Sequence, residues 1–150
     1  MIYVFDTNIL LHEVRQSDLF RKISLHTAIN EAATVQAISF ATVAETKSIA
    51  YRRQWGSAKL SRLQAILDSY LTIDQITVEL IERYVEIEAY SQGKHISRRG
   101  DFSARNMGKN DLWIAATASV LGATLLTTDQ DFNHIDGIFA SVEYFAPIAG

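Results

Sequence analysis

Short apolar runs alternate along this chain with longer segments of helical periodicity. The runs are rich in β-branched and aromatic residues and lack a polar face, which is typical of strands buried on both sides. The predicted strands are residues 2–5, 35–40, 71–74, 123–127 and 142–145. The predicted helices begin near Ile9 or span about 17–30, 42–55, 57–70, 78–91 and 111–121. This alternation predicts an α/β domain of three layers, in which helices cover both faces of a parallel central sheet.

Polar residues and glycines predict where several of these helices begin and end. The predicted N-caps are Thr7 with Asn8, Thr42, Ser57 and Asn110. Thr42 and Glu45 match a capping box, which would place Glu45 in the first turn of its helix. Glycines are predicted to follow the helix ends at Gly56 and Gly122.

Length and composition restrict the class of protein. The 150 residues are predicted to form a single domain, 1–150, and the absence of cysteine excludes disulfides and thiolate metal sites. No signal peptide and no apolar run of membrane-spanning length is seen, so a cytoplasmic protein without a membrane role is expected. The net charge of −3 gives no support to nucleic-acid binding, which must rest on local charge.

Carboxylates stand at several points where a predicted strand or loop leads into a helix. Asp6 follows the first strand, Glu45 follows the second, Asp111 follows the loop 92–109, and Asp129 and Asp131 follow the fourth strand. Each has an ordinary explanation as a cap, a first-turn acid or a turn residue. In a parallel sheet, however, these strand ends converge on one edge, where ligands bind.

Several carboxylates gathered at one edge would repel one another. A hard divalent cation with oxygen ligands, Mg²⁺ or Mn²⁺, would offset that repulsion. Zinc is disfavoured because cysteine is absent and the histidines lack zinc-ligand spacing. Those histidines are His12, His26, His95 and His134.

Four motifs in this order resemble those of PIN-domain nucleases, and among these the VapC toxins of bacterial toxin–antitoxin pairs. They are the strand with residues 6–8, then Glu45, the segment 109–116 and the segment 125–132. The resemblance runs from residue 2 to about 145. It implies a single PIN-like three-layer domain and a Mg²⁺- or Mn²⁺-dependent endoribonuclease that leaves 5′-phosphate and 3′-hydroxyl ends.

The resemblance also assigns roles to residues. The catalytic and metal-binding acids would be Asp6, Glu45 and Asp111, with Asp129 as the fourth and Asp131 sharing its role. The residues expected to support the site are Thr7, Asn8, Asn110 and Thr127. The long loop 92–109 departs from the shortest family members, which leaves its role open.

Partners follow from the same resemblance and from local charge. Basic residues in the loop and in 47–62 predict an RNA-facing rim, with possible RNA contacts at Lys47, Arg105 and Lys109. A cognate VapB-like antitoxin is expected, in a groove flanked by Trp55, Leu60, Leu63 and Tyr70 unless these residues are ordinary core. A homodimer is expected as well, with DNA bound only indirectly through the antitoxin.

Other functions stay open at this point. A PIN nuclease of RNA processing and a non-catalytic PIN-like module that binds RNA or protein are the nearest alternatives. A magnesium phosphatase is disfavoured because Asn8 stands where a second aspartate is usual. A receiver domain is disfavoured by the helical stretch 57–91 and by the missing late lysine.

Overall fold

Five parallel strands form one sheet in the structure, a computed structural model that describes residues 1–147. The strands are β1 (Ile2–Phe5), β2 (Val35–Ser39), β3 (Leu71–Ile73), β4 (Thr124–Thr127) and β5 (Ser141–Tyr144). Their order across the sheet is β3-β2-β1-β4-β5, and every neighbouring pair is parallel. The predicted parallel sheet is therefore confirmed.

Helices connect successive strands. They are α1 (Thr7–Arg15), α2 (Asp18–His26), α3 (Phe40–Arg52), α4 (Ser57–Ser69), α5 (Val78–Ser91), α6 (Lys109–Leu121) and a short 3-10 helix (Gln130–Ile135). Helix α5 has the bounds that its apolar periodicity predicts, whereas α2 is shorter than its prediction. No helix within residues 1–147 has the length and hydropathy needed to cross a membrane.

Alternate residues of the strands feed two separate cores, one on each face of the sheet. Val4 and Leu125 pack with α5 and α6 on one face. Phe5, Ile38 and Leu126 pack with α1, α2 and α4 on the other face. Because successive side chains of a strand point to opposite faces, a short unbroken apolar run can supply both cores. The result is the predicted three-layer arrangement.

Helix α6 lies deep against the sheet. Leu112 and the run 114–119 are buried, and the core of this face surrounds them. Ile114 and Ala118 are thus core residues, as predicted, while Trp113 and Leu121 are half-buried at its margin. The burial of α6 fixes the position of its first turn, which carries Asp111.

None of the four predicted helix N-caps is confirmed, and Ser57 is already helical after Gly56, the N-cap of α4. Asp6 caps α1, Ser39 caps α3 and Gly108 caps α6. In each case the helix begins earlier than the local pattern predicts, so Thr42 does not cap α3 and Asn110 is already inside α6. Tertiary packing accounts for α3, since Ala41 is buried and the Phe40 ring lies against Trp113 when both residues are helical.

The predicted role of Gly56 was wrong. Helix α3 ends at Arg52 with Arg53 as its C-cap, and Gly56 is the N-cap of α4, with Ser57 as the first helical residue. Gly122 follows α6 in the left-handed conformation, with φ of 61°, as its position predicts.

The loop 92–108 is anchored on α5 and on the 3-10 helix. The Phe102 ring packs against both Tyr90 and His134, with ring centroids 5.2 Å and 4.9 Å away. Arg98 donates a hydrogen bond from Nη1 to the Ile138 carbonyl at 3.1 Å. These contacts give the segment before α6 a defined path although it has no regular structure.

The core beneath β4 yields a stability prediction. Leu125 is fully buried, and its truncation in Leu125→Ala would leave a cavity that costs about 2–5 kcal/mol of unfolding free energy. Urea unfolding followed by circular dichroism measures this loss. The matched variant Leu25→Ala removes a side chain that is 83% exposed and should stay within about 0.5 kcal/mol of the wild type. Equal effects of the two substitutions would contradict the described core.

Candidate active site

The strand order places a crevice at the carboxyl ends of β1 and β4. From β1 the chain passes to β2 and β3 on one side, and its later strands β4 and β5 lie on the other side. Connections therefore leave β1 and β4 in opposite directions, and such a switch point is where open α/β sheets bind ligands. Asp6 follows the end of β1, and Thr127 ends β4.

Asp6 is a buried carboxylate that accepts hydrogen bonds from the first residue of α1 and from the last residue of β4. Its side chain is 4% exposed. Its Oδ1 accepts a hydrogen bond from the Thr7 backbone N–H at 2.7 Å, and its Oδ2 accepts one from the Thr127 hydroxyl at 2.8 Å. The two threonines that were predicted to support the site therefore both contact Asp6.

Thr127 also connects Asp6 to the other acids that follow β4. Its hydroxyl oxygen accepts a hydrogen bond from the Asp129 N–H at 2.9 Å. The Asp129 Oδ1 in turn accepts one from the Asp131 N–H at 2.8 Å and so caps the 3-10 helix. Asp129 is half-buried, whereas Asp131 is exposed.

Glu45 lies in the second turn of α3, one turn later than the capping box predicts. Burial raises the pKa of its carboxyl. The neighbouring Thr7 hydroxyl and Asn110 amide oppose this shift in part. Its Oε1 is buried and accepts no hydrogen bond from any part of the chain that the structure describes. A buried carboxylate oxygen without a donor is costly, so this atom indicates a place for a cation or a water.

Burial, with a smaller contribution from neighbouring carboxylates, raises the pKa of both Asp6 and Asp111. Burial raises the pKa of Asp111 to about 7, with further contributions from Asp6, Asp129, Glu45 and Asp131 in that order. Burial likewise raises the pKa of Asp6 to about 6; the Thr127 and Thr7 hydrogen bonds oppose the shift, and Glu45 and Asp129 add to it. The structure therefore brings together the five acids that the sequence analysis selected.

Of the residues predicted to support the site or to contact RNA, some lie beside the acids and others lie on the exposed surface. Asn110 adjoins Glu45, while Asn8 is exposed in the first turn of α1. Lys109 is exposed at the start of α6. Arg105 lies near His134, and burial together with this guanidinium lowers the pKa of that histidine to about 4.

Lys47 belongs to a surface other than the acidic crevice. It lines a groove of about 560 Å³ between α3 and α4, together with Tyr51, Trp55, Leu60 and Leu63. This is the groove that the sequence analysis predicted, except for Tyr70. Tyr70 is buried at the end of α4. Its ring packs on Phe5, and its hydroxyl donates a hydrogen bond to the Glu13 carboxylate.

A cleft of about 560 Å³ extends from Glu45 along α3. Its lining residues are Ala44, Glu45, Ser48, Ile49, Arg52 and Asn110. The sequence analysis grouped Arg52 with other bases of 47–62 and did not single it out. The signal was present, since positions 45, 48, 49 and 52 share one face of a helix.

The donor set fits a hard divalent cation. All five side chains offer carboxylate oxygens, the ligands that Mg²⁺ and Mn²⁺ prefer. The unpaired Glu45 Oε1 and the raised pKa values of Asp6 and Asp111 are the features that a bound cation would relieve. Within residues 1–147, no three acidic or histidine side chains are arranged to hold an ion as they stand. The carboxylates are thus close neighbours rather than a closed set of ligands.

Comparison with known proteins places the chain in a family. The family model of the PIN domain matches residues 3–138. The chain belongs to the PIN-domain family. A search of curated protein sequences finds no significant match.

Solved structures with a similar fold include toxin–antitoxin complexes. A chain of VapBC2 from Rickettsia felis, bound to a promoter DNA fragment, aligns with a TM-score of 0.73 and 24% identity over 96% of this chain and 98% of that one. A chain of VapBC-1 from nontypeable Haemophilus influenzae aligns with a TM-score of 0.70 and 21% identity, over 96% of this chain and 98% of that one. A chain of a toxin–antitoxin complex from Klebsiella pneumoniae aligns with a TM-score of 0.67 and 21% identity, over 97% of this chain and 99% of that one. These likenesses show that this PIN domain shares its fold with chains of such complexes.

The raised pKa of Asp111 predicts how stability depends on pH without metal. The folded protein keeps Asp111 protonated up to about pH 7, whereas the ordinary pKa of this carboxyl is 3.8. The stability that this proton contributes is therefore fully present below about pH 4 and is lost as pH rises through about 7. In EDTA, the melting temperature should therefore fall between about pH 4 and pH 7. Asp111→Asn should flatten this fall and raise the melting temperature at the alkaline end.

The matched control for this titration is Asp68→Asn, which changes an exposed acid on α4. Its melting temperature should follow the wild type at every pH, as measured by differential scanning fluorimetry. An Asp111→Asn profile parallel to that of the wild type would show that Asp111 carries no strained charge.

Proposed function

We propose that this PIN domain is a divalent-cation-dependent endoribonuclease that acts as the toxin of a toxin–antitoxin pair. The observation that carries the proposal is the convergence of Asp6, Glu45 and Asp111 at the switch point, where burial and neighbouring carboxylates raise the pKa of Asp6 and Asp111. Membership of the PIN family supports it, because PIN domains are nucleases that generally use divalent metal ions. The likeness in fold to chains of VapBC complexes supports the toxin role.

Mg²⁺ or Mn²⁺ fits the donor set, with Asp6 and Asp111 as primary ligands. Glu45 and Asp129 would complete the set, and Asp131 would contribute through its place beside Asp129. When bound, the cation makes a water more acidic and offsets negative charge on the phosphodiester.

The chain's own residues orient the reacting groups. The Thr127 hydroxyl and the Thr7 N–H hold both oxygens of Asp6, so this carboxylate needs little reorganisation to serve as a ligand. The unpaired Oε1 of Glu45 can accept a hydrogen bond from a water that approaches a phosphodiester. The crevice is therefore prepared for hydrolysis at a phosphorus centre.

RNA is the proposed substrate, and positive charge near the crevice would bring it in. Lys109 lies two residues before Asp111, and Arg105 lies three residues before Gly108, the cap of α6. Both are proposed RNA contacts; Lys47, in the other groove, stays a prediction. Cleavage should weaken steeply with salt, because phosphate contacts release counterions. Preference for RNA would come from accessible single strands and 2′-hydroxyl contacts.

The groove between α3 and α4 is the proposed binding place of a VapB-like antitoxin. Its apolar wall, from Trp55, Leu60 and Leu63, suits the apolar face of a helix. Tyr51 at its rim is largely exposed and would be covered by such a partner. DNA binding is assigned to the antitoxin and not to this chain. A homodimer and a cytoplasmic location remain part of this proposal.

Removal of one ligand should abolish cleavage. Asp6→Asn and Asp111→Asn should each lower the rate of single-stranded RNA cleavage in Mn²⁺ by more than about 100-fold, since loss of a supporting partner alone costs 10–100-fold. Thr127→Val tests that smaller effect, because it removes the hydroxyl that holds Asp6. Gel assays of a labelled RNA with purified protein measure the rates.

Asp68→Asn is again the control, and it should cleave as fast as the wild type. Full activity in Asp6→Asn or Asp111→Asn would exclude the proposed site, and activity in EDTA equal to that in Mn²⁺ would exclude metal dependence. Growth of a bacterial host during expression tests the toxin role. Arrest by the wild type but not by Asp111→Asn supports a toxin, whereas cleavage without arrest favours a nuclease of RNA processing.

A further inference from the structure

We propose that Arg52, with Ser48 and Ile49, forms a subsite that binds a phosphate of single-stranded RNA beside the scissile phosphodiester. This inference rests on the proposed nuclease function and deepens it, because it assigns a path to the substrate strand. The path would follow the cleft that extends from Glu45 along α3.

Three of the other bases between residues 47 and 62 lie in other surroundings. The Lys59 Nζ lies 4.0 Å from the centre of the Trp55 ring, and Arg62 donates from Nη1 to the Val14 carbonyl at 3.0 Å. Lys47 lines the groove on the other side of α3. Arg52 is the base that lines the cleft with Glu45.

The guanidinium of Arg52 is available to an anion. The side chain is exposed, and within residues 1–147 it forms no ion pair with a carboxylate. Its Nε donates a long hydrogen bond of 3.4 Å to the Ser48 carbonyl, which directs the side chain along the helix. The two Nη groups can therefore form the paired hydrogen bonds that guanidinium groups make with phosphates.

The spacing along α3 suits an RNA backbone. Arg52 lies seven residues after Glu45 on the same face, which is about 10 Å along the helix axis. An extended single strand covers this distance in one or two phosphate steps. The cleft of about 560 Å³ lies within the range of about 300–1000 Å³ that is usual for small-ligand sites. Ile49 supplies an apolar wall for a sugar or a base.

The positive charge of Arg52 would offset the repulsion between the RNA backbone and the carboxylates. A phosphate that enters the crevice meets five carboxylates, and a cation offsets part of their charge. A fixed guanidinium one or two phosphates away would hold the strand without touching the acids. Arg52 would then strengthen RNA binding and leave the chemical step unchanged.

The test measures RNA binding by fluorescence anisotropy, with a labelled single-stranded 12-nucleotide RNA and Mg²⁺. Asp111→Asn serves as the background so that the RNA stays intact. In this background Arg52→Gln should weaken binding about 3- to 10-fold. It should also reduce the slope of log Kd against log salt by about 0.7, the value for one phosphate contact on a single strand.

Arg53→Gln is the matched control, since Arg53 is exposed, adjacent and not among the residues that line the cleft. It should leave affinity and salt slope unchanged. In an otherwise wild-type protein, Arg52→Gln should raise the KM for the same RNA and keep kcat. Melting curves check that both variants fold.

The outcomes separate the two proposals. RNA cleavage by the wild type, together with equal binding by Arg52→Gln and its background, would overturn the subsite and leave the nuclease function standing. Equal losses in Arg52→Gln and Arg53→Gln would also overturn it, because they indicate diffuse charge attraction. No RNA binding and no cleavage by the wild type would overturn both.

Discussion

The buried carboxylate of Asp6 is the constraint on which the rest of the site depends. A charge in this position is costly unless it is paired, and the hydrogen bonds from Thr7 and Thr127 offset only part of the cost. The raised pKa of Asp6, about 6, records what remains. The fold thus keeps an acid where a proton or a cation is needed. Strongly shifted pKa values of this kind cluster at functional sites.

The sheet order explains how this cost is shared. Because β1 lies between β2 and β4, the segment after each of these strands reaches the same crevice. Glu45 comes from the helix after β2, and Asp129 from the turn after β4. Asp111 arrives on α6, whose buried length of small and apolar residues leaves its first turn little freedom. The acids therefore cannot separate without disturbing both cores, and relief of their repulsion must come from what binds.

Helix α3 connects the proposed substrate surface with the proposed partner surface. One of its faces carries Glu45, Ser48 and Arg52 and lines the cleft beside the acids. Another face carries Lys47, Ala50 and Tyr51 and lines the groove with α4. The 3.6-residue period of the helix separates these two sets. A partner in the groove would thus touch the same helix that carries Glu45.

The sequence by itself determined the strands, the parallel sheet and the choice of acids. Apolar runs such as residues 2–5 and the period of α5 are local signals, and strand ends in a parallel sheet must converge. Only the tertiary structure decided where α3 begins, because the packing of Phe40 on Trp113 and the burial of Ala41 outweigh the capping preference of Thr42. It also decided which elements line each face of α3 and that, within residues 1–147, an oxygen of Glu45 has no donor. Those facts depend on which elements pack around a side chain, and no local pattern contains them.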